Sequence, residues 1–160
     1  MNLYLIRHAD SEEKKPGQSD AERVLSNKGI RDLNAAAAAW KSFIPEFNYL
    51  VSSQLVRAVQ TAEIVRKIFG IQQEIIKDKR LNPGSDTKDL IDLLNELKAD
   101  NIAVFGHEPD FSQHVSALIS GSGASINFKK GAIAKVSFPA RVRLSHGILD
   151  YLIPPKTFLK

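Results

Sequence analysis

Two short strings in this sequence are equipped for chemistry. Ile6-Arg7-His8-Ala9 closes an apolar run at the beginning, and Phe105-Gly106-His107-Glu108-Pro109 closes another. A third string, Ser53-Gln54-Leu55-Val56-Arg57, follows a short apolar run at 49–51. Histidine can act as nucleophile, base or metal ligand. Two imidazoles with arginines beside them point to a nucleophile in an anion pocket. Arg57 falls in the first turn of a predicted helix, where a cation opposes the helix dipole at a cost of about 0.3–1 kcal/mol. That placement makes sense if an anion sits at the helix start. Taken singly, each residue also has an ordinary reading: a histidine satisfied in the core, an arginine in solvent. The other two histidines, His114 and His146, read as structural or surface groups, with His114 on the polar side or margin of its helix. No clear third ligand accompanies the pair, so no metal and no other cofactor is expected.

The elements that must position these strings follow from periodicity. Residues 2–7 are apolar and β-prone and read as a buried strand. Residues 9–25 are polar and contain Pro16-Gly17, which makes a long and potentially functional loop. A helix is predicted over 27–43, with Ile30, Leu33, Ala37, Trp40 and Ile44 on one face. The five alanines at 35–39 favour the helix and permit close packing. Tyr49-Leu50-Val51 is a second strand. Ser53 is a fair N-cap for a helix over 54–69, and Gly70 is its stop. Its stripe is Leu55, Ala58, Ala62, Val65 and Phe69. Residues 71–77 form a third strand, and Ser85 or Asp86 caps a helix to about 98. Asn101–Phe105 is the fourth strand, and Pro109 suits the first position of a helix to about 120. Strands at 132–138 and 148–153 complete the chain. Strand–helix alternation predicts an α/β fold, a three-layer sandwich with a mostly parallel central sheet, helices on both faces and an antiparallel edge strand. In such a sheet Arg7-His8, Arg57 and Gly106-His107 all fall on the carboxyl edge, where ligands bind.

The bulk numbers are consistent with one domain of 160 residues, 43% hydrophobic and 25% charged. Cysteine is absent, which excludes disulfides, thiolate chemistry and Cys-type zinc sites. No apolar stretch reaches the ~18 residues of a membrane span. The first residues lack the charged start and long apolar core of a signal peptide. The reading is a cytoplasmic protein with no membrane association. Net charge is +4, but residues 121–160 carry +6 and residues 1–120 carry −2. The basic segment either keeps an edge strand solvated or attracts an acidic protein. Nucleic acid is not expected, because no binding motif accompanies the charge.

Four segments resemble the histidine phosphatase superfamily. Ile6-Arg7-His8-Ala9 is similar to its Arg-His-Gly signature, with alanine in the glycine place. Leu25-Ser26-Asn27-Lys28-Gly29 resembles its Leu-Thr/Ser-x-x-Gly loop. Ser52-Ser53-Gln54-Leu55-Val56-Arg57-Ala58-Val59-Gln60-Thr61-Ala62 resembles its Ser-x-x-x-Arg-Ala-x-Gln-Thr-Ala segment. Gly106-His107-Glu108-Pro109 resembles its Gly-His-x-Pro. The segments run in family order. Lys129-Lys130-Gly131-Ala132 and Pro154-Pro155 resemble the SixA branch, the phosphohistidine phosphatases.

The resemblance implies a phosphoglycerate mutase-like fold, spanning 1–160 as a single histidine phosphatase domain. It implies that His8 attacks phosphorus and becomes a transient phosphohistidine, and that Arg7, Arg57 and His107 surround the transferring oxygens. Phosphoryl transfer asks mainly for positioning and charge neutralisation, so such a pocket works without metal. Ser11, Arg23 and Glu108 are further candidates for substrate contact. The chain is short and lacks the insertions that roof the pocket of sugar-phosphate enzymes and phytases. Where those enzymes carry a glutamate acid, near Leu81-Asn82-Pro83, Asn82 stands instead. An alkoxide leaving group needs that proton; an imidazole leaving from a P–N bond needs it much less. Glu108 and Asp10 are the carboxylates that could substitute. The implied substrate is a phosphohistidine-bearing protein, such as an acidic phosphotransfer domain. A small-molecule phosphomonoesterase and a non-catalytic phosphate-binding module stay open. A nucleotide-binding sheet is disfavoured because no Gly-x-Gly-x-x-Gly or Walker loop follows the first strand.

Overall fold

The structure, a computed structural model, describes residues 1–159. Four strands build the parallel part of one six-stranded sheet: β1 (Asn2–Arg7), β2 (Tyr49–Ser52), β3 (Ile76–Lys77) and β4 (Asn101–Gly106). Strands β5 (Ile133–Ser137) and β6 (Ile148–Ile153) complete it in the order β3-β2-β4-β1-β5-β6. Pairs β1/β4, β2/β4 and β2/β3 are parallel; β1/β5 and β5/β6 are antiparallel. The edge strand β6 thus pairs antiparallel as expected, and its neighbour β5 is the strand that runs against the others.

Four helices cover the two faces: α1 (Asn27–Trp40), α2 (Val56–Phe69), α3 (Thr87–Leu97) and α4 (Asp110–Ile119). Side chains alternate across the central strands, so one strand feeds two cores. Leu3, Leu5, Ile102 and Val104 pack with α3 and α4, while Tyr4, Ile6, Ala103 and Phe105 pack with α1 and α2. A strand buried on both faces must be apolar throughout, which is why β1 and β4 read as continuous runs.

Several boundaries differ from the sequence reading. Helix α1 stops at Trp40 and its buried face runs through Gly29, Leu33, Ala36, Ala37 and Trp40. Ile30 lies one residue, about 100°, round the helix and is 38% exposed. A side chain at Gly29 would overlap the carbonyl oxygen of Asp10, so α1 presses directly on the backbone after His8. Strand β3 is only two residues long, because 71–77 supplies just three isoleucines among Gln72, Gln73 and Glu74. Helix α2 begins at Val56 without a side-chain cap, so Ser53 is not its N-cap. Pro109 precedes α4 rather than opening it. Asp86 caps α3 as expected, accepting from the Lys88 N–H. His114 is fully buried, its two ring nitrogens held by Ser85 Oγ at 2.9 Å and Thr87 Oγ1 at 2.8 Å. It is structural, as expected, but it faces the interior rather than the polar side of α4. Two hydroxyls from the start of α3 make that burial affordable.

Candidate active site

The carboxyl edges of β1, β2 and β4 meet in one pocket. The His8 N–H donates to the Gly106 carbonyl at 3.0 Å and the Ser53 N–H to the Phe105 carbonyl at 2.9 Å, extending both ladders past the strand ends. His107 follows β4, and a Cβ at Gly106 would stand 2.6 Å from the Phe111 ring, so glycine lets α4 pack close beneath it. Arg57 arrives from the first turn of α2. Of the four residues expected to form the anion pocket, His8, Arg57 and His107 stand together and are 7%, 5% and 2% exposed, while Arg7 Nη1 donates to the Phe128 carbonyl at 2.7 Å.

The hydrogen bonds fix the state of the first imidazole. His8 Nδ1 lies 2.8 Å from the Ala9 carbonyl, which can only accept, so Nδ1 carries the proton. Nε2 is left unprotonated, its lone pair accepting from Arg57 Nε–H at 3.3 Å. The His8 pKa is lowered to about 4, chiefly by burial and with help from the charges of Arg57, Arg7 and Lys130, against the opposing hydrogen bond to the Ala9 carbonyl. His107 falls to about 3, first through burial and then through His8 and Arg57. Both rings are therefore neutral near pH 7, and their centroids stand 5.2 Å apart. His107 Nε2 is 2.7 Å from Ser53 Oγ. Its Nδ1 and the Nε of Arg7 are buried polar atoms without a partner. Such atoms are costly unless something polar meets them, which marks this pocket as a place for a polar ligand. The arrangement can accept an oxyanion and attack its central atom.

These shifts carry a sign. A histidine whose folded pKa lies below its unfolded value of about 6.5 stabilises the fold above that value and loses the contribution as pH falls. His8 alone accounts for about 3 kcal/mol between pH 6.5 and 4, and His107 and buried His114 act in the same direction. The midpoint of urea unfolding is expected to drop steadily over that window. A flat profile from pH 6.5 to 4 would contradict neutral burial of these rings.

One contributor was not singled out in the sequence. Asp20, in a 3-10 turn at Asp20–Glu22, accepts from Arg57 Nη2 through its carboxylate at 2.8 Å and from Arg57 Nη1 through its carbonyl at 2.7 Å. Among the five acids of the 9–25 loop only the Asp20-x-x-Arg23 spacing sets it apart, and Arg23 does bind its other oxygen at 3.0 Å. Arg23 and then Arg57 hold the Asp20 carboxyl below the usual carboxylate range. Removing this charge with Asp20→Asn is expected to tighten inhibition by inorganic phosphate by up to about fivefold, the scale of a half-exposed ion pair. Weaker phosphate inhibition would instead make Asp20 a brace for Arg57. Ser53 and Thr61 also belong to the site's framework: Thr61 Oγ1 accepts from the Ala9 N–H at 3.2 Å and donates to the Arg57 carbonyl at 2.7 Å. Thr61 is a polar residue on the Ala58-Ala62-Val65 stripe, which was the signal available for it.

The other candidates lie nearby with different partners. Arg23 spends its remaining nitrogens on Ser11 Oγ at 2.9 Å and the Glu12 carbonyl at 2.9 Å, so it and Ser11 brace the covering loop. Glu108 accepts from the Ser112 N–H and Oγ at 2.9 and 2.6 Å at the start of α4. Asp10 takes Lys130 Nζ at 2.8 Å and Ser26 Oγ at 2.7 Å, and those bonds hold its carboxyl down. Asn82 is tied to Gln54, accepting from its N–H at 2.9 Å. Among the described residues no three His, Asp or Glu side chains cluster as metal ligands.

Residues 3–83 match the family model for the histidine phosphatase superfamily, branch 1. The chain belongs to that superfamily. Among curated proteins, this histidine phosphatase is 28% identical to an uncharacterized protein of Picosynechococcus over 166 residues, covering 99% of each. Its fold is shared with the protein histidine phosphatase SixA complexed with tungstate, at TM-score 0.88 and 23% identity, covering 98% of this chain and 99% of that one. It is also shared with a phosphoserine phosphatase mutant of Entamoeba histolytica in complex with phosphoserine, at TM-score 0.73 and 18% identity, with 99% of each covered. The fold class expected from the sequence is therefore the one observed. Among the described residues no helix is long and apolar enough to cross a membrane.

Proposed function

We propose that this phosphatase is of the SixA type and removes phosphoryl groups from phosphohistidine-bearing proteins. His8 Nε2 attacks phosphorus and forms an N–P bond while the substrate's P–N bond breaks. The departing imidazole nitrogen takes up a proton from solvent. Arg7, Arg57 and His107 neutralise and orient the equatorial oxygens, the main demand of phosphoryl transfer, and two guanidiniums supply that charge with no metal. Water then attacks the phosphohistidine at position 8, breaking its N–P bond and releasing phosphate.

The observation that carries the substrate class is the state of the nearby carboxylates. Glu108 uses both oxygens on Ser112, Asp10 is held ionised by Lys130 and Ser26, and position 82 is an asparagine bound to Gln54. None is poised to protonate an alkoxide. A leaving imidazole tolerates that lack. The loop over the site, residues 9–25, also suits a group displayed on a protein surface better than an enclosed metabolite.

The test is a comparison of leaving groups. Phosphoramidate and a phosphohistidine protein are expected to turn over at least about a hundredfold faster, in kcat/KM, than phosphoserine or a sugar phosphate, corresponding to about 2.7 kcal/mol in the barrier. Faster turnover of the phosphate esters would assign the site to small-molecule phosphomonoesters instead.

A further inference from the structure

Beside the pocket lies a cleft of about 380 Å³, within the ~300–1,000 Å³ range of ligand clefts. Arg7 lines both. The cleft walls are mostly apolar, formed by Pro154, Pro155 and Leu159. Four lysines ring it: Lys28, Lys129, Lys130 and Lys156. Two are already neutralised, Lys28 by Asp32 and Lys130 by Asp10. Lys129 and Lys156 are exposed and enter no ion pair among the described residues. The basic excess of residues 121–160 is thereby divided. Lys135 pairs with Asp150 across β5 and β6. Arg141 lines a separate cavity with Met1, at the amino end of β1. Among the described residues of this segment, Lys129, Lys130 and Lys156 line the cleft beside the site.

The cleft is anchored to the reacting centre. The Gly131 N–H donates to both the Arg7 and His8 carbonyls, at 3.2 and 3.0 Å. Lys129 and Lys130 are therefore carried on a turn fixed to the nucleophile's own backbone. The segment bearing Pro155 and Lys156 packs on α1, whose first turn supplies Lys28 and Gly29. An occupant of this cleft sits at a set offset from His8.

We propose that the cleft docks the protein substrate through an acidic segment carrying one apolar side chain. The acids meet Lys129 and Lys156, the apolar side chain rests on Pro154, Pro155 and Leu159, and the phosphohistidine reaches past Arg7 to His8. This rests on the protein-directed reading above. Opposite charges mainly raise the encounter rate and fix register, so the effect belongs in KM rather than in the chemical step.

Two synthetic phosphohistidine peptides of equal length test it, one flanked by glutamates and a leucine, the other by lysines and a serine, with phosphoramidate as a substrate too small to span the cleft. The wild-type protein is expected to prefer the acidic peptide at least tenfold in kcat/KM. The double variant Lys129→Glu/Lys156→Glu is expected to bring that preference below twofold through KM, with phosphoramidate turnover within twofold of wild type. That last value also reports that the variant is folded. A preference that survives the double variant, or parallel losses on peptide and phosphoramidate, overturns the docking cleft and leaves the proposed chemistry standing. Turnover of a phosphoserine peptide with neither phosphohistidine peptide consumed overturns the proposed function, and the docking cleft with it.

Discussion

Alanine at position 8 is expected to abolish the covalent intermediate and to lower turnover by roughly 10⁴-fold or more, about 5 kcal/mol in the barrier. The reason is specific to Nε2. It is kept unprotonated because the Ala9 carbonyl takes the proton on Nδ1 at 2.8 Å, and burial keeps the ring neutral down to about pH 4. No other side chain in the pocket combines these properties. His107 is equally neutral, but its Nε2 stands 2.7 Å from Ser53 Oγ and no acceptor fixes a proton on its Nδ1 as the Ala9 carbonyl does for His8. Incubation with labelled phosphoramidate, followed by a quench, should trap an acid-labile, base-stable phosphoenzyme in the wild type and none in His8→Ala. Label retained by the His8→Ala protein would transfer the nucleophile's role to another residue.

Lysine at position 57 is expected to be nearly as damaging as alanine, at about 10²–10³-fold in kcat/KM, or roughly 3–4 kcal/mol. Charge alone does not explain this arginine. Its three nitrogens have three jobs: Nε faces His8 Nε2 at 3.3 Å, while Nη1 and Nη2 hold the carbonyl and carboxylate of Asp20. A lysine keeps the charge as a single point and cannot reach both sides at once. Arg57→Lys should also release the covering loop, so limited proteolysis between residues 9 and 25 should accelerate along with the loss of rate. A lysine variant within threefold of wild type would mean that the pocket needs only net charge there.

Much of the site was legible because its chemistry sits where patterns change. His8 and His107 end apolar runs, and Arg57 contradicts the dipole of its own helix. These signals are local, and the α/β alternation placed all three on one edge. What escaped the sequence depends on contacts made across the fold. Ser53 looks like a cap because serine is a favoured residue before a helix, yet it serves His107, just past the end of the neighbouring strand. His114 looks amphipathic on its own helix; Ser85 and Thr87, nearly thirty residues away in sequence, are what allow its burial. Asp20 is one acid among several until the loop folds over α2. The inward reversal at β5 has no sequence mark, because antiparallel and parallel strands buried on both faces carry the same apolar composition.

The position of β1 between β4 and β5 sets a schedule for making the protein. It is the first strand of the sequence, and both of its neighbours come from residues 101–137. At roughly 5–20 residues per second of synthesis, β1 waits on the order of ten seconds for its flanks. During that interval an apolar strand with two open edges is a hazard for mispairing. His8 follows directly on that same strand, so the site is assembled only once the most distant pairings in the chain have closed. Non-local pairing of this kind slows folding relative to helical proteins of similar size.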